Sequence, residues 1–219
     1  KSPTDMGLNM VGACITDDAF VQEAAKQEVI RRLYTTLCEQ RRGNASEEEI
    51  GKLRMLMQQL NLSDEDRPVI CAARKRAEAT GNPAAAIQLE DGRVVTGKTS
   101  SLLGASAALL LNALKALAGI PKEEKLIPPE VIGPIQDLKL NYLGNRNPRL
   151  HTDEVLVALS ITASQSETAA RALAQLKELK DCEVHTSVIL SEVDENIFRR
   201  LGVHLTCDPK YQTRKLYHK

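Results

Sequence analysis

Residues 92–99 read Gly92-Arg93-Val94-Val95-Thr96-Gly97-Lys98-Thr99, which satisfies G-x-x-x-x-G-K-[ST], the pattern of a phosphate-cradling loop. As such a loop the octet must curl, so that successive backbone N–H groups converge on phosphate oxygens. As the second strand of a hairpin it must lie extended. The residues between its glycines, Arg-Val-Val-Thr, are stiff and strand-prone. Glu90-Asp91-Gly92 just before them is a hairpin signal between two alternating runs. The sequence therefore predicts an antiparallel pair, residues 85–89 with residues 93–97. The partner motif of a nucleotide enzyme is also missing. The apolar run from Val155 to Ile161 ends in Thr162 and Ala163, without the aspartate that would hold magnesium.

Composition narrows the remaining classes. The 219 residues suffice for one large or two small domains. Twenty-nine basic and 29 acidic residues cancel, which argues against a nucleic-acid or anionic-membrane partner. Aromatic residues make up 3% with no Trp, so platforms for base stacking are scarce. No apolar run has the length of a membrane span, and no signal peptide is visible. Five scattered cysteines suit a reducing cytosol better than a disulfide framework, and a cytoplasmic location is expected. The chain begins Lys1-Ser2-Pro3 without an initiator Met, so it is expected to be a piece of a longer protein or a processed form.

Along the chain, a helix is expected from Thr16 or Asp17 to about Gly43, with Phe20, Ala24, Ile30, Leu33 and Leu37 apolar. Ser46-x-x-Glu49 is a capping box for a second helix with Ile50, Leu53, Met57 and Leu60 on one face. Asp66 and Pro68 open a third, which Gly81 closes. After the hairpin, an alanine-rich helix runs over residues 103–118 and stops at Gly119. Pro128-Pro129-Glu130 starts another, ending at Gly144. The run from Val155 to Ile161 reads as a helix or as a buried strand; Thr152-Asp153-Glu154 tilts it slightly to helix. Ser166 caps a helix to Leu179, residues 183–190 alternate like a strand, residues 194–201 form a short helix and residues 203–206 a last strand. The basic tail from Lys210 is expected to fray.

Three long strings carry a resemblance. Residues 1–10 (Lys-Ser-Pro-Thr-Asp-Met-Gly-Leu-Asn-Met), residues 91–106 around the octet, and Leu201-Gly-Val-His-Leu-Thr-Cys-Asp resemble the bacterial family called domain of unknown function 1846. The resemblance covers essentially the whole chain. Family members are about twice this length, so it implies that the chain is the C-terminal half of one, with the N-terminal half as a partner. It implies no established activity. Some members are labelled ATP-dependent peptidases, and this chain has no H-E-x-x-H. A weaker resemblance is to the cytidine-deaminase-like fold, in which a hairpin leads into a helix with one zinc ligand and a later helix carries Pro-Cys-x-x-Cys. The corresponding positions would be Ser106-Ala107-Ala108 and Ser166 with Ala169, which cannot hold zinc. A helix at residues 153–163 would also cost that fold a strand.

Two constellations invite chemistry. Cys182-x-x-His185 and His204-x-x-Cys207 offer four N/S ligands, but in strands positions i and i+3 face opposite sides, so no metal is expected. Lys98, Thr99, Ser100 and Ser101 precede a helix, where N–H groups, hydroxyls and one ammonium would make an anion site; the plainer reading is that Ser100 or Ser101 caps the helix. The polar loop from Thr4 to Asn9 reads as a hinge between halves or as part of a shared pocket. Glu47-Glu48-Glu49 and Arg41-Arg42 read as solvated helix ends.

The expected architecture is α/β: a helical subdomain with an N-terminal linker over residues 1–80, then an α/β subdomain over residues 81–219 with a small mixed sheet wrapped by helices. The expected function is a ligand-binding or assembly half of a larger cytoplasmic bacterial protein, without metal chemistry or cofactor. The alternatives are an enzyme acting on an anionic small molecule, such as a nucleotide or another phosphorylated compound, at a site shared with the N-terminal half, and an oligomerisation module. No catalytic residue is identifiable. Self-association is expected, because Leu109, Leu110, Leu111, Leu114 and Leu117 add to the alanines more apolar surface than one helix face holds.

Overall fold

The computed structural model describes residues 18–212, and of residues 18–20 the backbone alone. The expected cap at Thr16 or Asp17 and the loop from Thr4 to Asn9 lie outside the described residues. Helix α1 spans Asp18–Arg42, and Gly43 follows at φ 89°. Helix α2, Glu47–Gln59, opens with the capping box: Ser46 Oγ accepts from the Glu49 N–H, and the Ser46 N–H donates to Glu49 Oε2 at 2.9 Å. Ile50 and Met57 are buried, but Leu60 caps the helix end and stays exposed. Helix α3, Pro68–Thr80, is closed by Gly81 at φ 63°. Asp66 does not open it; its carboxylate accepts the Ser63 N–H at 2.7 Å in the turn before.

The octet is extended. Strands β1 (Ala84–Gln88) and β2 (Val94–Lys98) pair antiparallel, Ala85 opposite Gly97 and Ile87 opposite Val95. The Gly92 N–H donates to the Leu89 carbonyl, and the Leu89 N–H to the Arg93 carbonyl, each at 2.9 Å. Gly92 sits at φ 81°. The hairpin loop is thus three residues, Glu90-Asp91-Gly92, with a left-handed glycine last. Strand β3 (Glu183–Thr186) pairs antiparallel with β1, and β4 (His204–Cys207) parallel with β3, giving the order β2-β1-β3-β4. The strand expected over residues 183–190 ends at Thr186, whose hydroxyl donates to the Val188 carbonyl at 2.6 Å and turns the chain.

Beyond the hairpin come α4 (Ala105–Ala118), α5 (Pro129–Asp137), α6 (Thr152–Ala163), α7 (Glu167–Leu173) and α8 (Glu192–Arg200). Residues 155–161 are therefore helix, where the cytidine-deaminase-like fold would need a strand. Helix α5 contains Pro134 and passes into a wide π turn, Leu138–Tyr142, that buries Lys139. Ser166 Oγ caps α7 by accepting the Ala169 N–H at 3.2 Å, and α7 tightens into 3-10 turns over Ala174–Leu179.

Helices α1 and α3 cover one face of the sheet, and α4 the other, with α6 and α7 packed against α4. The main apolar core lies on the α4 side, where Ala85 and Ile87 meet Leu109, Ala113 and Leu114. Eight residues of α4 are buried, and Leu117 is partly buried against the same core. On the opposite face Ala86 packs against Val69 and Ala73 of α3.

Residues 18–80 are tied to the sheet by polar bonds as well. Arg67, with no exposed surface, pairs with Glu183 and donates to the carbonyls of Val184 at 3.2 Å and His204 at 2.8 Å. Arg74 grips Asp208 at 2.6 Å and Asp64 at 2.6 Å, and donates to the Tyr34 hydroxyl at 2.8 Å. Burial works to raise the Asp208 carboxyl, but His185 and Arg74 beside it hold it at about 2. Among the described residues no helix is long and apolar enough to cross a membrane.

Candidate functional site

At one end of the sheet β2 and β3 finish, β1 begins, and three helices start. The loop after β2 runs beside the segment before α6. The Leu150 N–H donates to the Leu102 carbonyl at 2.9 Å, and the Gly104 N–H to the Leu150 carbonyl at 3.2 Å. This lays the starts of α4 and α6 side by side. Helix α8 joins them through Asp194, which accepts from the Thr152 N–H at 2.9 Å, the Thr152 hydroxyl at 2.8 Å and the Ser191 hydroxyl at 3.0 Å.

The remaining partner of Asp194 is His151, whose Nδ1 lies 3.1 Å from Oδ2. Nδ1 carries the proton, because its partner is a carboxylate. That leaves Nε2 for anything bound outside. The His151 side chain is 33% exposed. The Asp194 bond raises the imidazole above its ordinary value against the pull of burial. Burial works to raise Asp194, but the bonds from His151 and Thr152 outweigh it and hold the carboxyl low. The pair has the geometry of a proton-transferring histidine with an orienting carboxylate.

A second layer fixes the segment. Lys139, brought inward by the π turn, donates to Glu154 Oε2 at 2.6 Å and to the Arg149 carbonyl at 2.7 Å. Glu154 also accepts the His151 N–H at 2.8 Å. Leu150 is fully buried, whereas Arg149 and His151 on either side of it are partly exposed. Arg149 Nε donates to the Ser100 carbonyl at 2.6 Å.

The structure divides the four residues read as an anion site. Lys98 is exposed opposite Ala84, on the face that carries Ala86 and packs against α3. Thr99 is buried, and its N–H donates to the Pro83 carbonyl at 2.8 Å. Ser100 Oγ accepts the N–H groups of Leu102 at 3.2 Å and Leu103 at 3.0 Å, and Ser101 is exposed. The cap of α4 is Gly104, without a side-chain bond, so neither serine caps the helix. Ser100 lies beside Arg149; Lys98 lies on the other face. Ser106 and Ala107 sit buried in the first turn of α4.

The Cys/His set is dispersed. Cys182 Sγ donates to the Glu178 carbonyl at 3.6 Å, and His204 Nε2 lies 3.8 Å from Asp181. His185 is fully buried, its Nδ1 2.8 Å from Thr206 Oγ1 and its ring edge-on to Tyr34. Its Nε2 lies 3.4 Å from Asp208 Oδ1 but outside hydrogen-bonding geometry. Cys207 lies against α1, its carbonyl accepting from Cys38 Sγ at 3.2 Å. Among the described residues no group of three or more His, Cys, Asp or Glu is placed to hold a metal ion.

Sequence reasoning missed His151 and Asp194, which are 43 residues apart. The local signals were a histidine directly before Thr152-Asp153-Glu154 and the pattern Ser191-x-x-Asp194, each of which reads alone as a helix start.

Residues 65–217 match the sequence model described as "Domain of unknown function DUF1846, C-terminal", and residues 1–61 match "Domain of unknown function DUF1846, N-terminal". The junction falls at the turn between α2 and α3. The chain is 56% identical over 219 residues to the "UPF0371 protein" of Corynebacterium glutamicum (strain R), covering all of this chain and 44% of that protein. It is 51% identical over 218 residues to "UPF0371 protein stu1377" of Streptococcus thermophilus, again 44% of the relative's length. The expected C-terminal half is thereby corrected: the stretch includes a segment that belongs with the N-terminal model. The chain belongs to the DUF1846 family and spans somewhat under half the length of the curated relatives it matches.

Proposed function

We propose that this chain supplies a ligand-binding half of a larger cytoplasmic bacterial protein. The ligand is an anionic small molecule, a phosphorylated compound, held at the start of α6 by Arg149 and His151, with the Ser100-Ser101 loop that Arg149 bonds. The observation that supports this reading is the pair His151–Asp194. Asp194 is almost fully buried with four hydrogen-bond donors on it, while the histidine it orients is one-third exposed and does not use Nε2 in that bond. Arg149 spends Nε on the Ser100 carbonyl and keeps its terminal nitrogens for a bidentate oxyanion. A second reading, an enzyme using His151 as general acid or base on the same ligand, is favoured by the buried orienting carboxylate. The rest of the longer chain would complete the site.

The test is a melting-temperature screen of the full-length protein against phosphorylated small molecules, repeated with Arg149→Met, His151→Gln and Lys98→Ala. The first two should lose the response and the third keep it. An unchanged response in Arg149→Met and His151→Gln overturns the site. Loss of catalysis with retained binding in His151→Gln selects the enzyme reading.

A further inference from the structure

Among the described residues strand β2 is one of the two edge strands of the sheet. Its ladder with β1 is hydrogen-bonded at both ends, Leu89 with Arg93 and Pro83 with Thr99. Antiparallel alternation then directs the peptide groups of Arg93, Val95, Gly97 and Thr99 at β1, and those of Val94, Thr96 and Lys98 outward. One outward group is covered: the Thr96 carbonyl accepts from Asn112 Nδ2 at 2.9 Å. Helices α3 and α4 stand on either side of this edge. Along the edge lies a groove of about 650 Å³, lined by Arg76, Arg93, Lys115 and Lys122 and by no carboxylate.

Edge strands are commonly guarded by charge. That accounts for Lys98 on β2 and for Arg93 just before it. It does not account for Arg76 on α3 or for Lys115 and Lys122 on the α4 side. Arg93 is partly neutralised by Asp91 at 2.7 Å. Lys115 donates to the Lys122 carbonyl at 3.0 Å, and Glu123 and Glu124 reach it only through their fields.

We propose that this edge is a docking slot for an extended acidic peptide segment. The segment adds a strand to β2 through the Val94 N–H and carbonyl and the Thr96 N–H, and sets its carboxylates against the four cations. A second copy of this chain fits poorly, because β2 against β2 would face Arg93, Lys98 and both sets of groove cations with their like.

The probe is a fluorescein-labelled peptide, Glu-Val-Glu-Val-Glu-Val-Glu, titrated against the full-length protein by anisotropy, with its Lys-for-Glu counterpart as control. The acidic peptide should bind, slow hydrogen exchange at residues 94–98, and outcompete the lysine peptide. Thr96→Pro removes an outward N–H and leaves the β1 ladder intact, so it should weaken binding by about tenfold or more. Lys115→Gln with Lys122→Gln should do the same by loss of charge, and decides the matter alone if Thr96→Pro does not fold. No binding up to about 1 mM, equal binding of both peptides, unchanged affinity in the folded variants, or a dimer joined through β2 overturns the proposal.

Discussion

Gly97 of β2 lies against the backbone of Leu109 in α4, so close that a methyl group at Gly97 would overlap the Leu109 nitrogen and stand 2.5 Å from its Cα. The phosphate-loop pattern owes its two glycines to two unrelated needs. Gly92 supplies a left-handed turn; Gly97 lets a helix approach a strand. Gly97→Ala should therefore cost about 3 kcal/mol or more, at the upper end of overpacking. Gly92→Ala, with open space around it but φ 81°, should cost about 1 kcal/mol. Denaturant melts of the two variants check the order, and equal costs would contradict it.

Stability should pass through a maximum near pH 6.5, because two histidines pull in opposite directions. His185 is depressed first by burial, with Arg67 and Arg74 adding to this and Asp208 opposing. Its folded form resists protonation, so stability rises with pH up to the unfolded histidine value of about 6.5. His151 is raised by Asp194, so its contribution is complete below about 6.5 and is lost as pH rises through its folded value. Asp194 adds a separate acid limb: its depressed carboxyl contributes above the unfolded aspartate value, and that contribution is lost as pH falls through the folded one. Asp194→Asn should remove the falling limb and bring the His151 imidazole down, as read by denaturation at a series of pH values and by NMR of the ring. A falling limb that survives the substitution would contradict the assignment.

Arg67→Ala should cost about 3–5 kcal/mol, the penalty for breaking a buried ion pair from one side. Arg31 still reaches Glu183 at 2.7 Å, but the Val184 and His204 carbonyls lose a donor. Arg67→Lys should rescue little, since one ammonium cannot span the Glu183, Thr206 and two carbonyl acceptors that the guanidinium fork reaches. Urea titration of both variants measures this, and full recovery in the lysine form would contradict it.

Thiol labelling of the native protein should distinguish the described cysteines. Cys71 is exposed, whereas Cys38, Cys182 and Cys207 are buried. Burial pushes Cys207 to about 11 and also raises Cys38 and Cys182. Peptide mapping after a short alkylation at neutral pH should find Cys71 modified and the other three protected until denaturant is added. Rapid labelling of Cys38 or Cys207 would show that α1 leaves β4.

The sequence by itself determined what depends on neighbours in the chain. The stiff Arg93–Thr96 interior and the Asp91-Gly92 turn decided the hairpin. Ser46 with Glu49, Ser166, Gly81 and Gly119 marked helix ends, because caps and left-handed residues act within one turn. Thr152-Asp153-Glu154 tilted an undecided run correctly to helix. Tertiary structure alone decided the rest. β3 stops at Thr186 because the chain must turn toward α8, and Lys98 falls on the α3 face because strand parity is fixed only by the partner β1. Gly104 rather than a serine caps α4 because Ser100 is spent in its own loop. The candidate site followed the same division. His151 and Asp194 each look like part of a local helix start, and their pairing arises only where the fold brings two helix N-termini together. A bond between side chains 43 residues apart leaves no periodic trace in a single sequence.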